Sequence, residues 1–299
     1  MRYIELLINC KMISFLELNI YDELDISELS KHHNASAVSV SIENLKYIDK
    51  FNNIEYLRIT SGPAERDNWN YVYNLSNLKA LILEYEETDN FSEYSVDCSK
   101  LNGVEYIFSR SSFNLKNINA SSTLKTLIVG NWYQPDMSLF QLSKIDALQV
   151  CRGKCKSLAG IENLQALKIL SLSGLQIEKT ELVASLPKLR FLELEACNKI
   201  KDINQVYDLK SLEYIILVCN IRVNNLDFIN KMKKLKRVIL DIRVEDGDLK
   251  PLQRLDRAVI LKKYKNYNLS DKDMPYSKEP YKINDIPEWR NYLNGRRNL

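Results

Sequence analysis

A six-residue phrase recurs along the chain and constrains its fold more than any other feature. It consists of an apolar residue, two variable residues, an apolar residue, a variable residue and a last apolar residue. Clear copies begin at Ile54, Leu78, Val104, Leu124, Ile145, Leu167, Leu189, Leu212 and Leu235, a degenerate copy at Leu255, and weaker copies at Phe15 and Ala35. From Ile54 onward the starts lie 20–26 residues apart. Such regular spacing predicts one structural unit stacked many times.

The phrase has a direct physical interpretation. Its last two apolar residues are two positions apart, so they point to the same face of a short strand. In the second half of each unit, as in residues 161–164 and 182–186, apolar residues three or four apart indicate a helical or 3₁₀ turn. Parallel stacking would bury both halves in one core. The sequence therefore predicts an α/β solenoid, with a parallel sheet on the concave side and short helices, 3₁₀ turns and loops on the convex side.

The phrase and the unit length resemble the leucine-rich-repeat family, in particular its bacterial forms with units near 22 residues. The resemblance covers roughly residues 15–262. The family pattern also has Asn or Cys eight residues after each start, where the side chain bonds backbone groups at the turn. Cys197 and Asn220 match that place, whereas Trp132, Gly153 and Leu175 depart from it. The resemblance implies a binding protein without a cofactor.

The repeat pattern suggests three parts. Residues 1–34 are predicted to be an N-terminal cap, or a helix, with a further degenerate repeat; residues 35–262 form the solenoid, and residues 263–299 a C-terminal cap or tail. In the tail, Asp285 and Glu288 fit the start of a short helix that Gly295 ends. Trp289 and Leu293 of that helix would dock on the last repeat. The alternative is a separate interaction tail.

The distribution of charged residues and the first residues of the chain indicate where the protein is located and what it binds. Residues 1–220 contain 23 Lys and Arg against 28 Asp and Glu, whereas residues 221–299 contain 19 against 11. The first residues do not form a signal peptide, and no apolar stretch approaches membrane-spanning length. We therefore expect a cytoplasmic protein that is monomeric when free, with no membrane partner. An exported protein that uses a non-classical route is the alternative.

Catalytic and metal-binding patterns are absent from the sequence. It lacks a P-loop, a GxSxG motif and a GxGxxG turn. The two histidines, His32 and His33, are adjacent, which favours a polar surface pair. Cys151 and Cys155 do not have the CxxC spacing of redox and zinc sites. We expect no catalytic, metal or cofactor site, and consequently a protein that is not an enzyme.

The repeat register predicts the partner-binding residues. Side chains two, four and six positions after each start should face outward from the concave sheet. The concave-face candidates are Tyr56, Arg58, Glu84, Tyr106, Phe108, Arg110, Phe191, Glu193, Glu195, Tyr214, Arg237 and Asp241. Two longer units and one short turn add loop candidates, namely Trp69, Tyr71, Tyr85, Phe91, Trp132 and Tyr133. Apolar and aromatic surfaces of this kind are typical of protein interfaces.

Mixed charge on the concave face favours a protein partner over nucleic acid, which would require a basic stripe. Two hypotheses follow. The first is a bacterial immunity protein that neutralises a cognate toxin by direct binding. The second is an exported effector or adhesin-like protein that binds a host protein. An enzyme with a catalytic domain attached to the repeats ranks lowest, because few residues follow the repeats.

Overall fold

A computed structural model describes residues 2–8, 11–18, 28–61, 69–85, 95–140 and 144–276. The described residues fall into two compact units, an N-terminal unit within Met1–Leu124 and a C-terminal unit within Lys125–Lys278. Both consist of short strands that alternate with turns, as the repeat predicts. In the described ranges, no helix has the length and apolar character needed to cross a membrane.

The N-terminal unit begins with an antiparallel hairpin of β1 (Arg2–Ile8) and β2 (Lys11–Leu18), where the sequence had also allowed a helix. Strand β2 then pairs in parallel with β3 (Ala37–Val40), followed in order by β4 (Tyr56–Ile59), β5 (Ala80–Leu83) and β7 (Tyr106–Ser111). A small second sheet joins β6 (Val96–Asp97) to β8 (Leu115–Lys116). Leu16 of β2 aligns with Val38 of β3, so the weak copy at Phe15 is in register with the repeats.

In its described residues, the C-terminal unit contains seven strands in sequence order, all paired in parallel. They are β9 (Thr126–Asn131), β10 (Ala147–Cys151), β11 (Ile169–Ser173), β12 (Phe191–Glu195), β13 (Tyr214–Val223), β14 (Arg237–Val244) and β15 (Arg257–Ile260). Each strand falls at the place where a copy of the phrase predicts it.

Short helices and 3₁₀ helices connect the strands. The described α-helices are α1 (Trp69–Tyr73) and α2 (Asp227–Lys231). The 3₁₀ helices of the N-terminal unit are Ser30–His32, Ile42–Lys50, Cys98–Lys100, Ser112–Asn114 and Ile118–Ala120. Those of the C-terminal unit are Ile161–Asn163, Glu181–Ser185, Asn204–Asp208, Lys250–Arg254 and Asp271–Asp273. In the C-terminal unit, successive helices from Ile161 to Arg254 pack against one another.

The apolar pair of each phrase forms the core. Leu170 and Leu172 of β11 align with Leu192 and Leu194 of β12, and none of the four is exposed. Burial of one such side chain stabilises the fold by about 1.5–3 kcal/mol. The predicted orientation of alternate side chains is therefore confirmed, because the other strand positions face away from this core.

The turn that follows β10, β11 and β12 requires a left-handed residue. Arg152 (φ 57°), Gly174 (φ 64°) and Ala196 (φ 52°) occupy the same place, seven residues after their repeat starts. Only glycine adopts this conformation without a steric penalty, which for other residues is about 1–2 kcal/mol. Two of the three turns consequently contain local strain.

We predict that Ala196→Gly stabilises the protein by roughly 0.5–1 kcal/mol, since relief of the left-handed strain exceeds the added entropy of the unfolded chain. The measurement is the free energy of unfolding from urea titration. Ala184→Gly, at an exposed position of the 3₁₀ helix Glu181–Ser185, is the control and should destabilise. Equal destabilisation by both variants would contradict the role of the turn.

Candidate functional site

The candidate site is the sheet face opposite the apolar core, which we term the concave face. Its side chains form rows across neighbouring strands because the strands pair without offset. One row of the C-terminal unit is Thr126, Ala147, Ile169, Phe191, Tyr214, Arg237 and Arg257, and the next is Ile128, Gln149, Ser171, Glu193, Ile216, Ile239 and Val259. A third lies at the carboxyl ends of β10, β11 and β12 and continues within β13 and β14; it includes Cys151, Ser173, Glu195, Val218 and Asp241. We call these the first, second and edge rows.

The first two rows are far less accessible than the sequence analysis expected. Tyr106, Phe191, Tyr214, Glu193 and Arg237 are all buried, with at most 5% of their surface exposed. Of the other predicted residues, Tyr56, Arg58, Glu84, Phe108 and Asp241 are half-buried, and only Arg110 and Glu195 are exposed. Close packing along the rows contributes to this burial: the Phe191 and Tyr214 rings stack with centroids 5.1 Å apart. Among the predicted concave-face residues of the C-terminal unit, Glu195 of the edge row is therefore the exposed one.

In the N-terminal unit, a charged cluster lies on the concave face. The Arg58 guanidinium donates to Glu84 Oε2 at 2.5 Å and to Ser39 Oγ at 2.9 Å. It also lies 3.9 Å from Glu17 Oε1. Two predicted contact residues, Arg58 and Glu84, are thus brought together and bind one another. Glu17 was not among the predicted contact residues, although it lies in the weak first copy of the phrase.

Glu195, Val218 and Asp241 of the edge row border an open cavity of about 330 Å³. Glu195 and Asp241 supply carboxylates to its wall, and Arg243, Lys262 and Tyr264 supply cations and a ring. The Arg243 guanidinium lies 5.6 Å from the centre of the Tyr264 ring. Carboxylates, guanidinium and ring together form a polar surface with an aromatic wall, a composition suited to a protein side chain or backbone. Lys262 and Tyr264 were not among the predicted site residues because they follow the last repeat.

The predicted loop residues divide into core and surface. Trp69, Tyr85 and Trp132 are buried, with 3%, 7% and 0% of their surface exposed, so they offer no surface to a partner. Tyr71 and Tyr133 are exposed, and their role as contacts stays a prediction. Phe91 lies outside the described residues.

Trp132 is buried for a specific reason. Its backbone pairs with that of Gly153, and its backbone N–H donates to the carbonyl oxygen of Arg152 at 2.8 Å. A Cβ at residue 153 would collide with the Trp132 backbone, so glycine permits this close approach. The indole stacks on Phe140 at 5.4 Å, and its N–H donates to the carbonyl oxygen of Asp136 at 2.9 Å. The ring is therefore a satisfied core residue.

Cysteines take a structural role at the turns. Cys197 Sγ donates to the carbonyl oxygen of Leu172, and Cys219 Sγ donates to that of Leu194, at 3.5 and 3.1 Å. Cys219 thus occupies the place that the sequence assigned to Asn220, which is exposed. Burial raises the pKa of Cys155 to about 11, so this thiol stays protonated at neutral pH. Among the described residues, no group of His, Cys, Asp and Glu side chains could hold a metal ion.

A ladder of charged residues lies at the amino ends of the strands, one residue after each repeat start. Its members are Glu55, Lys79 and Glu105 in one unit and Lys125, Asp146, Lys168, Arg190, Glu213, Lys236 and Asp256 in the other. Glu213 lies between Arg190 Nε at 2.7 Å and Lys236 Nζ at 3.3 Å. Burial acts to raise the pKa of Glu213, but the cations of Arg190 and Lys236 outweigh it and hold that pKa below its usual range.

Comparisons with known proteins give structural neighbours only. No family model and no curated protein matches the sequence. An internalin (inlF) from Listeria monocytogenes is 18% identical, with a TM-score of 0.48, over 77% of this chain and 80% of that one. A leucine-rich-repeat protein from Leptospira interrogans is 16% identical, with a TM-score of 0.48, and the match covers 83% of this chain and 58% of the Leptospira chain. The mouse RP105/MD-1 complex contains a chain that is 17% identical, with a TM-score of 0.53, over 76% of this chain and 45% of that one.

We predict that Glu213→Gln lowers the free energy of unfolding by roughly 1–2 kcal/mol near neutral pH, because a partly buried carboxylate loses its charge between two cations. A lowered folded pKa stabilises the fold above the unfolded value of about 4.3, and this stabilisation disappears as pH falls through the folded pKa. The difference from wild type should therefore shrink in acid. Urea titration at several pH values measures it, with Glu178→Gln at an exposed position as control. A deficit independent of pH would show that the ion pairs are not its cause.

Proposed function

We propose that this chain, which has a leucine-rich-repeat fold, is a non-enzymatic protein-binding module whose partner docks first on the edge row of the concave face. The observation that supports this best is the accessible cluster of Glu195 and Asp241 beside Arg243, Lys262 and Tyr264. The cluster presents both charge signs and an aromatic ring, and such surfaces recognise protein partners. A partner with basic side chains would pair with the two carboxylates.

A finer proposal concerns the kind of partner. We propose a bacterial immunity protein that binds a basic toxin, such as a nuclease, and blocks it. The excess of acidic residues over residues 1–220 and the acidic edge row both favour a basic partner. The resemblance to bacterial leucine-rich-repeat proteins is consistent with this role. An exported protein that binds a host target is the alternative outcome.

The test begins with the tagged full chain as bait in lysate of the native organism, with mass spectrometry to identify stoichiometric partners. A captured candidate is then purified, its affinity measured by calorimetry, and its toxicity assayed in cells with and without this chain. A basic, toxic partner that this chain neutralises would support the finer proposal. Capture of a non-toxic or host protein would overturn it and leave the binding module in place.

We predict that the double variant Glu195→Lys and Asp241→Lys weakens partner binding about tenfold or more, because like charges would face the basic partner. Glu178→Lys with Glu181→Lys adds the same charge at exposed positions away from the concave face and is the matched control. Calorimetry of both folded variants measures the effect. Equal affinities for both would show that the edge row is not the contact surface.

A further inference from the structure

One turn of the N-terminal unit places an asparagine directly before a glycine, at Asn102 and Gly103. The pair follows the 3₁₀ helix Cys98–Lys100 and precedes the repeat start at Val104, and both of its residues are exposed. A glycine has no side chain to shield its backbone nitrogen from the residue before it. The Asn102 side chain is therefore next to an accessible backbone nitrogen.

The surroundings of the pair leave its reactive groups unengaged. In the part of the chain that the structure describes, neither the Gly103 N–H nor the Asn102 side-chain amide forms a hydrogen bond. A Cβ at residue 103 would meet nothing nearer than the Leu78 carbonyl oxygen, at 3.7 Å, so the turn is uncrowded. Gly103 also lines an open cavity of about 570 Å³ together with Glu55 and Lys79, and water therefore has access to it.

We propose that Asn102 and Gly103 form a self-modification site, at which the asparagine converts to aspartate and isoaspartate. The Gly103 nitrogen attacks the Asn102 side-chain carbon Cγ. The N–Cγ bond forms, the Cγ–Nδ2 bond breaks, and the proton of the Gly103 amide leaves with Nδ2 as ammonia. Water then opens the succinimide ring. Opening at Cγ gives aspartate, whereas opening at the backbone carbonyl gives isoaspartate, whose main chain is longer by a CH₂ group.

The modification acts on the pairing of β7 with β5. At the amino end of β7, the N–H groups of Glu105 and Tyr106 both donate to the Lys79 carbonyl oxygen, at 2.9 and 3.1 Å. The additional CH₂ group of isoaspartate lies only a few residues before these donors and displaces them from Lys79. The new carboxylate also adds negative charge beside the ladder residue Glu105. We therefore expect a local loosening of β7, which goes beyond the proposed function and does not depend on any partner.

Ageing of the purified full chain at neutral pH, followed by peptide mapping with mass spectrometry, tests the site. The peptide that contains Asn102 should gain the mass that replacement of an amide by a carboxylate adds, and it should divide into aspartate and isoaspartate forms. Asn77 is the internal control, because it is exposed in the turn before β5 but is followed by Leu78. We expect Asn102 to react about tenfold faster than Asn77, whose neighbouring nitrogen carries a side chain. Mapping separates this site from Asn294 and Gly295, which lie outside the described residues.

Two variants separate the reaction from its consequence. Asn102→Gln keeps the amide but would have to close a larger ring, so it should stay unmodified. Asn102→Asp carries the new charge without the additional CH₂ group. Hydrogen exchange at the Glu105 and Tyr106 amides should be faster in the aged wild type than in fresh protein, and less affected in Asn102→Asp.

Two results would overturn the site, namely equal rates at Asn102 and Asn77, and conversion of Asn102 only after unfolding in urea. Conversion to isoaspartate with unchanged hydrogen exchange at Glu105 and Tyr106 would overturn its effect on β7. Neither experiment contains a partner, so failure of the proposed function is judged separately.

Discussion

Burial of the paired apolar residues of each phrase is the constraint on which the rest of the structure depends. A strand such as Ile169–Ser173 is too short to be stable alone, and its leucines reach zero exposure only between neighbours in the same register. That register then determines where all the remaining side chains of the strands lie. Residues two positions apart fall into rows on the opposite face, and residues just before the strands fall into a charged row. The rows of the opposite face and the charged row thus form as a consequence of the register, even where their side chains do not stabilise the fold.

The charged ladder at the amino ends of the strands supports this register. Alternation of sign brings Glu213 between Arg190 and Lys236, and Lys79 Nζ lies 3.0 Å from Glu55 Oε1. Each exposed ion pair contributes little, about 0–1 kcal/mol. A slip of one strand by one residue would nevertheless lose the pairs on both sides and turn the leucines away from the core. The ladder therefore adds specificity to a stacking that hydrophobic burial already favours.

The repeat phrase was sufficient to predict the strands that it covers, their parallel order and the face to which their side chains point, because all three follow from a period of two residues within a fixed unit. It did not predict β1, which pairs antiparallel with β2, or the small sheet of β6 and β8. Exposure did not follow from it, since it depends on what packs over a face: Phe191 and Tyr214 are correctly oriented but buried. Trp132 was predicted to be a contact residue and is a core residue because Gly153 allows the backbones to approach. Cys219 was missed because strand β13 is irregular between Val218 and Arg222, which displaces Asn220 from the turn.

On strand β12, side chains of the concave face become accessible where strand pairing stops. Within a parallel sheet, neighbours on both sides enclose a side chain, whereas beyond the last paired residue the chain turns and that enclosure is lost. Glu195 is the last residue of its strand, and it is exposed although Glu193, two residues earlier on the same face, is buried and accepts a hydrogen bond from Ser171. Two carboxylates of identical chemistry thus differ in exposure because of their distance from the end of the strand. Exposure on this face therefore rises at the end of strand β12, whereas Phe191 and Glu193, earlier on the same strand, belong to the internal packing.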